Sequence, residues 1–236
     1  MKVHNGVRSF VCAAGLAAAL ATPSALPATP TQPAPLPAAG YLARAVVTAR
    51  VAPSPSARSV LVLHQFRHDY RPQIVLATGA RNGPDGQRWL RLELPMRPNG
   101  KTGWVPAASV EVTAVTRRVV VHRGLRLIEV YRGARRLLRA PVAVGAPGME
   151  TPLGHFYVTA RFVPNDPFLG VFALETSAYS KLSEWPGGGV VGIHGTSRPE
   201  LLGQAVSHGC IRVSNATAAA LRRLAPLGTP IRVVAN

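Results

Sequence analysis

The chain is short of acid. Ten Asp and Glu stand against 27 Lys and Arg, a formal net charge of +17, and only three of the cations are lysines (Lys2, Lys101, Lys181). Net charge speaks to partners and not to fold. Nucleic acid is the usual partner for such a balance, but aromatics are only 6% of the chain and no basic stripe is interleaved with them. No nucleic-acid surface is expected. Cysteine is scarcer still: Cys12 and Cys210 allow at most one bridge, which excludes a disulfide scaffold. No apolar run reaches the ~20 residues that carry a helix across a bilayer, and no internal repeat or heptad pattern is present. The 236 residues are 47% apolar, enough to bury a core, so global disorder is excluded as well.

Residues 1–21 read as a secretory signal peptide. Lys2 and Arg8 precede a short Ala-rich run that ends in Ala19-Leu20-Ala21, a small-x-small cleavage pattern. An uncleaved amino-terminal membrane anchor is the alternative. Lipidation of Cys12 is disfavoured, because Ser9-Phe10-Val11 sets bulky residues where small ones are needed. Residues 22–40 hold six prolines and no charge, the composition of an extended polyproline spacer that builds no core. A secreted, cell-envelope location follows, and the anionic partners suited to the charge are wall polymers or the membrane surface.

Beyond the spacer, residues 41–115 carry short apolar runs at 60–63 and 74–76 and a period-two alternation at 88–94, separated by turns at Asn82-Gly83 and Asn99-Gly100. Short antiparallel strands closing a small β-barrel are expected. Residues 85–110, with Trp89 in one strand and Gly103-Trp104-Val105 opening the next, resemble bacterial SH3-like modules of envelope proteins. Core packing is the plainer role for at least one of the two tryptophans.

Residues 116–236 read as a second domain. Strands are expected at 118–122, 125–131 and 137–144, with Ile128 and Val130 on one face and Leu127, Glu129 and Tyr131 on the other. Further strands fall at 155–162 and 231–234. One helix is convincing: Asn215 is a suitable N-cap, residues 216–224 favour helix, Arg222 and Arg223 complement the C-terminal dipole, and Pro226 follows.

The chemistry concentrates in two short stretches. Cys210 lies in Ser207-His208-Gly209-Cys210-Ile211-Arg212, and His194 in Ile193-His194-Gly195-Thr196, sixteen positions upstream. A thiol attacks well only once deprotonated; a nearby imidazole takes the proton, and amides at a glycine turn hold the resulting oxyanion. A paired histidine is also expected to depress the thiol's pKa.

These two stretches resemble the signature of the L,D-transpeptidase catalytic domain, the YkuD-type family. Residues 141–159 resemble the family's segment leading into the catalytic sheet, and residues 168–180 its loop over the site. The fold implied is mainly β: a small SH3-like β-barrel, then a YkuD-type β-sandwich with one or two short helices. The reaction implied is cysteine acyl transfer on peptidoglycan stem tetrapeptides, without a cofactor or metal. By position, Cys210 is the nucleophile and His194 the proton acceptor and donor. Gly195 would orient His194. Gly209 and Cys210 amides would hold the oxyanion, with Ser207 and His208 in support, and Arg212 and Thr196 would meet substrate. Some branches of the family have Asn where this chain has Arg212; the cation suits a stem carboxylate or an ion pair within the sheet.

Other readings compete. His208 shares a strand face with Cys210 and is the rival base. A zinc site would use His194, His208 and Cys210 with His155 as fourth ligand, though no carboxylate base stands nearby. An L,D-carboxypeptidase, or a wall-binding protein with a weak catalytic domain, are the remaining alternatives. The amino-terminal module offers no nucleophile and is expected to be separately folded and dispensable for the chemistry. The leader makes its own prediction: amino-terminal sequencing of envelope protein should begin near Thr22, whereas intact Met1-containing protein in the membrane fraction favours the anchor.

Overall fold

The computed structural model describes residues 1–2, 35–184 and 187–236, so most of the leader and of the spacer, Cys12 included, lie outside the described residues. Ala34–Asn236 form one compact unit. Seven strands come first: β1 (Ala38–Leu42), β2 (Val46–Arg50), β3 (Ser59–His64), β4 (Ile74–Asn82), β5 (Arg88–Glu93), β6 (Thr102–Pro106) and β7 (Val110–Ala114). They form one antiparallel sheet in the order β3-β2-β6-β5-β4-β1-β7. Its core gathers alternate residues such as Val47, Leu63, Val75, Leu92 and Val105, the pattern that period-two strands produce when one face is covered. Trp89 is buried, with its indole N–H on Asp85 Oδ1 at 3.2 Å; Trp104 is half-buried under the Arg81 guanidinium.

Ten strands follow: β8 (Arg117–His122), β9 (Leu127–Arg132), β10 (Arg135–Pro141), β11 (Val144–Gly145), β12 (Gly154–Phe162), β13 (Ala173–Tyr179), β14 (Val190–His194), β15 (Ala205–Ser207), β16 (Ile211–Arg212) and β17 (Pro230–Val234). Eight of them make a second sheet, β10-β9-β8-β17-β12-β13-β14-β16, while β11 and β15 pair with each other. Two of its pairings, β8 with β17 and β14 with β16, are parallel. The helix α1 (Asn215–Leu224) covers this sheet through Ala218 and Leu221. Among the described residues the chain is mainly β, and no helix is long and apolar enough to cross a membrane.

Three expectations are corrected. Residues 38–40 belong to β1 rather than to the spacer: Ala38 and Ala39 are buried between β4 and β7, where backbone pairing needs no large side chain. Residues 173–179 form the inner strand β13, so of the expected loop only residues 168–172 and Ser180 lie outside it, the first two of them in a short 3-10 turn. The N-cap is Ser214, whose hydroxyl accepts from Thr217 N at 3.1 Å; Asn215 is released for other work. The alternation in β9 also has a buried exception. Glu129 is held by Tyr131 Oη, His122 Nε2 and Arg136 Nη1 at 2.6, 3.2 and 3.0 Å.

Tyr157 of β12 joins the two sheets. It is fully buried against Ala39, Ile74 and Leu76 of the first sheet, and its hydroxyl donates to Ile74 O at 3.2 Å. Truncating a buried aromatic to alanine costs about 3–5 kcal/mol and losing one hydrogen bond about 1 kcal/mol. Tyr157→Ala is therefore expected to be strongly destabilised and Tyr157→Phe mildly so in denaturant titrations. Both should unfold in a single transition; two separate transitions would contradict a shared core.

Candidate active site

The site is built on the parallel pair β14–β16. Ile193 faces Ile211 and His194 faces Arg212 across the ladder, and Val213 N donates to His194 O at 2.9 Å. This register sets Cys210 beside Gly192, whose N–H donates to the Cys210 sulfur at 3.4 Å. Residues 192 and 194 share a strand face. A Cβ placed on Gly192 would lie 3.8 Å from His194 Cδ2 and 3.9 Å from Cys210 Sγ. Imidazole and thiol thus border one methyl-sized space, and the ring carbon nearest it is the one bonded to Nε2.

His194 is buried, and its Nδ1 lies 2.6 Å from Gly195 O. A carbonyl only accepts, so Nδ1 carries the ring proton and donates. Nε2 is left with the lone pair, which a base requires. Burial pushes the His194 pKa down, the Gly195 carbonyl opposes that, and Arg212 adds to it; the net shift is downward. For Cys210, burial pushes the thiol up against the Gly192 amide and Arg212, and the net shift is upward. The depressed thiol expected from the sequence is reversed, because desolvation disfavours both ions of a thiolate–imidazolium pair. At neutral pH the resting pair is a thiol and a neutral imidazole.

The turn before Cys210 is fixed from several sides. Ser207 is buried; its hydroxyl donates to Cys210 O at 2.6 Å and accepts from Gly209 N at 3.1 Å. Of the two amides expected to hold an oxyanion, the Gly209 amide is therefore engaged by Ser207. Gly209 has φ +116°, and a Cβ there would meet Ser180 Cβ at 2.9 Å. Its carbonyl accepts from Thr151 Oγ1 at 2.8 Å. His208 is half-buried in this turn.

Arg212 is buried, 7% exposed, yet among the described residues no carboxylate pairs with it. Its guanidinium stacks 4.7 Å over the Phe168 ring, and Nε has no hydrogen-bond partner. The sheet ion pair considered from the sequence is not made. Phe168 also faces His194, with ring centroids 6.4 Å apart. Thr196, expected to touch substrate, is buried with its hydroxyl accepting from Arg198 N at 3.0 Å. That contact fixes the loop.

The sequence reading overlooked Asn215, Thr151, Gly192 and Phe168. Asn215 Oδ1 accepts from Val171 N at 3.3 Å and Thr196 N at 3.2 Å. It clamps the Phe168 loop to the loop after His194 at the point where Gly170 (φ +69°) crosses Gly195. A Cβ on either glycine would strike Asn215 Oδ1 at 2.2 Å. The cue for Asn215 was its own cap-like position, with Ser214 beside it as a better cap. The four candidate zinc ligands are not brought together: His155 lines a separate cleft with Glu93 and His122. Among the described residues no group of three or more metal-binding side chains is assembled.

The family model of the L,D-transpeptidase catalytic domain (YkuD) matches residues 116–233, half of the chain. The chain belongs to this family. It is 33% identical over 117 residues to YkuD of Bacillus licheniformis and over 116 residues to YkuD of Bacillus subtilis (strain 168). Each match covers 49% of this chain and spans 64% of the relative's own length. Solved L,D-transpeptidases from Mycobacterium smegmatis (17% identity, TM-score 0.43) and Mycobacterium tuberculosis H37Rv (15%, TM-score 0.45) are also similar. They cover 63% and 69% of this chain, and 90% of each of those chains is matched.

A pH prediction follows from the two shifts. Iodoacetamide alkylation of Cys210, followed by peptide mapping, should rise with pH to a midpoint above the ordinary thiol value near 8.5. A midpoint well below that value would mean that a thiolate–imidazolium pair already exists at rest.

Proposed function

We propose that this protein is an exported L,D-transpeptidase that acts through a thioester on Cys210. The observation that carries the reading is the parallel β14–β16 register, which sets the thiol, the Gly192 amide and the Nε2 edge of His194 around one small space. The substrate is a peptidoglycan tetrapeptide stem, bound with its third-residue carbonyl at the sulfur.

In the first half-reaction Cys210 Sγ attacks that carbonyl as its proton passes to His194 Nε2. The carbonyl oxygen becomes an oxyanion facing the Cys210 amide. Collapse breaks the peptide bond, His194 returns the proton to the departing amine, and D-alanine leaves. In the second, a side-chain amine of a neighbouring stem attacks the thioester, giving its proton to His194, and a 3-3 cross-link forms as sulfur is released and reprotonated. Neutral resting groups suit this sequence, because general-base catalysis works best when the base is unprotonated at the working pH. Moving both charges into being only during attack also avoids the cost of a desolvated ion pair in the free enzyme.

Arg212 supplies the anion-binding part. A buried guanidinium without a protein carboxylate retains its capacity for a bidentate pair with a substrate carboxylate. Phe168, stacked on it, lines the same side of the site. The leader and spacer read from the sequence support a location outside the cytoplasm, where the excess of arginine would favour approach to anionic wall polymers.

Incubating the processed protein with purified tetrapeptide-stem fragments and analysing products by mass spectrometry tests this. Cross-linked dimers are expected; trimmed tripeptide stems alone would make the enzyme a carboxypeptidase that uses water as acceptor. Cys210→Ala should give neither. His194→Ala should slow turnover on the order of 10²–10⁴-fold, the contribution of a positioned acid–base group, and His208→Ala clearly less. Arg212→Gln should raise KM more than it lowers kcat.

A further inference from the structure

The loop between β5 and β6 belongs to the amino-terminal sheet, yet its side chains grip the strand end beside the nucleophile. Asn99 Oδ1 accepts from Tyr179 N at 3.0 Å while Asn99 Nδ2 donates to Tyr179 O at 2.7 Å. The side-chain amide thereby acts as an extra ladder rung, at the point where the β13–β14 register becomes irregular between Glu175 and Tyr179. Arg97 adds a second grip. Its Nη1 donates to Ser180 O and its Nη2 to Gly188 O at 2.9 Å, and the guanidinium stacks 4.9 Å over the Tyr179 ring. The Tyr179 hydroxyl in turn donates to Pro95 O at 3.2 Å.

What is gripped matters to the chemistry. Ser180 packs on Gly209, the residue before Cys210, so closely that a Cβ there would lie 2.9 Å from Ser180 Cβ. On another side of Gly209 stands Met149 O, 3.7 Å from the same position. Lys181 and Glu150, the neighbours of these two, are joined by a 3.0 Å ion pair. The turn that carries Cys210 is thus wedged by a segment whose own position is set from the other sheet. These grips line a cleft of about 720 Å³ that also includes Arg123. Each hydrogen bond is too weak to decide folding but strong enough to hold one backbone placement over its alternatives.

We propose that Arg97 and Asn99 are positioning residues for Cys210, so that the amino-terminal sheet is part of the catalytic unit rather than a dispensable module. The catalytic consequence rests on the reading of Cys210 as nucleophile; the placement itself does not. A displacement of about 1 Å at a reacting group can cost as much as 10²-fold in rate, and this is the lever the two side chains hold.

The test uses the full chain with Arg97→Ala/Asn99→Ala, Arg97→Lys and Asn99→Asp, each checked for fold by circular dichroism. The double variant should stay folded, and its iodoacetamide midpoint at Cys210 should fall toward the ordinary thiol value as the sulfur gains water. Its kcat for stem transfer should drop about tenfold or more with KM within about twofold. Arg97→Lys keeps the charge but not the fork across two carbonyls, so it should not restore activity. A folded double variant with wild-type midpoint and kcat would overturn the proposal, as would full activity in Arg97→Lys. If the double variant does not fold, Asn99→Asp decides: it keeps the acceptor and loses the donor, and an unchanged midpoint overturns the idea. If wild-type protein performs no transfer, the functional reading fails, and the alkylation midpoint still tests the placement.

Discussion

Everything at the site follows from two residues of β16 pairing in parallel with the end of β14. This pairing is short, Ile193 to Ile211 and His194 to Arg212, yet it fixes three functional groups at once. Because the strands run parallel, Cys210 lies beside Gly192, two residues from His194 and on the same strand face. Glycine at 192 leaves the space between them open and directs its amide at the sulfur. The pairing survives in a two-residue strand because its surroundings hold it. Ala143 exchanges two backbone hydrogen bonds with Arg212 on one side, Ser207 and Thr151 fix the preceding turn, and Asn215 ties the loops on the far side.

Desolvation then sets the resting charge state. Burial acts on Cys210 and His194 in opposite directions of pKa but with the same outcome, the neutral form of each. Arg212 is the exception, a cation that burial cannot neutralise at physiological pH and that has no carboxylate partner among the described residues. Its stacking on Phe168 covers the face of the guanidinium while its Nε is left without a hydrogen-bond partner. A neutral thiol, a neutral imidazole and, among the described residues, one buried cation without a carboxylate partner make up the site.

Much of this was legible in the residues. Cys210, His194 and their glycines stand in patterns specific enough to name, and the period-two alternation at β5 and β9 announces half-buried strands. What was hidden depends on contacts distant in sequence. Residues 38–40 (Ala-Ala-Gly) look like spacer because they directly follow an Ala- and Pro-rich stretch, and only the flanking strands β4 and β7 give them a place. Asn215 looks like a helix cap until Ser214 takes that position and frees its amide for two loops. Thr151, Asn99 and Arg97 carry no local pattern, since their partners lie 58 to 91 residues away. The thiol's pKa was misjudged for a related reason: a motif shows the imidazole but not the depth of burial, and burial wins.

The sheets are bound by apolar burial at Tyr157 and by polar grips at Tyr179 and Ser180, so the reactive turn feels both cores. The central claim remains the covalent step at one sulfur. Intact-protein mass spectrometry after brief exposure to a tetrapeptide stem tests it most directly. The account predicts a mass gain equal to the stem minus D-alanine, located on the Cys210 peptide and removed by hydroxylamine. A protein that consumes the stem with no such adduct, or with an adduct elsewhere that persists in Cys210→Ala, would contradict it.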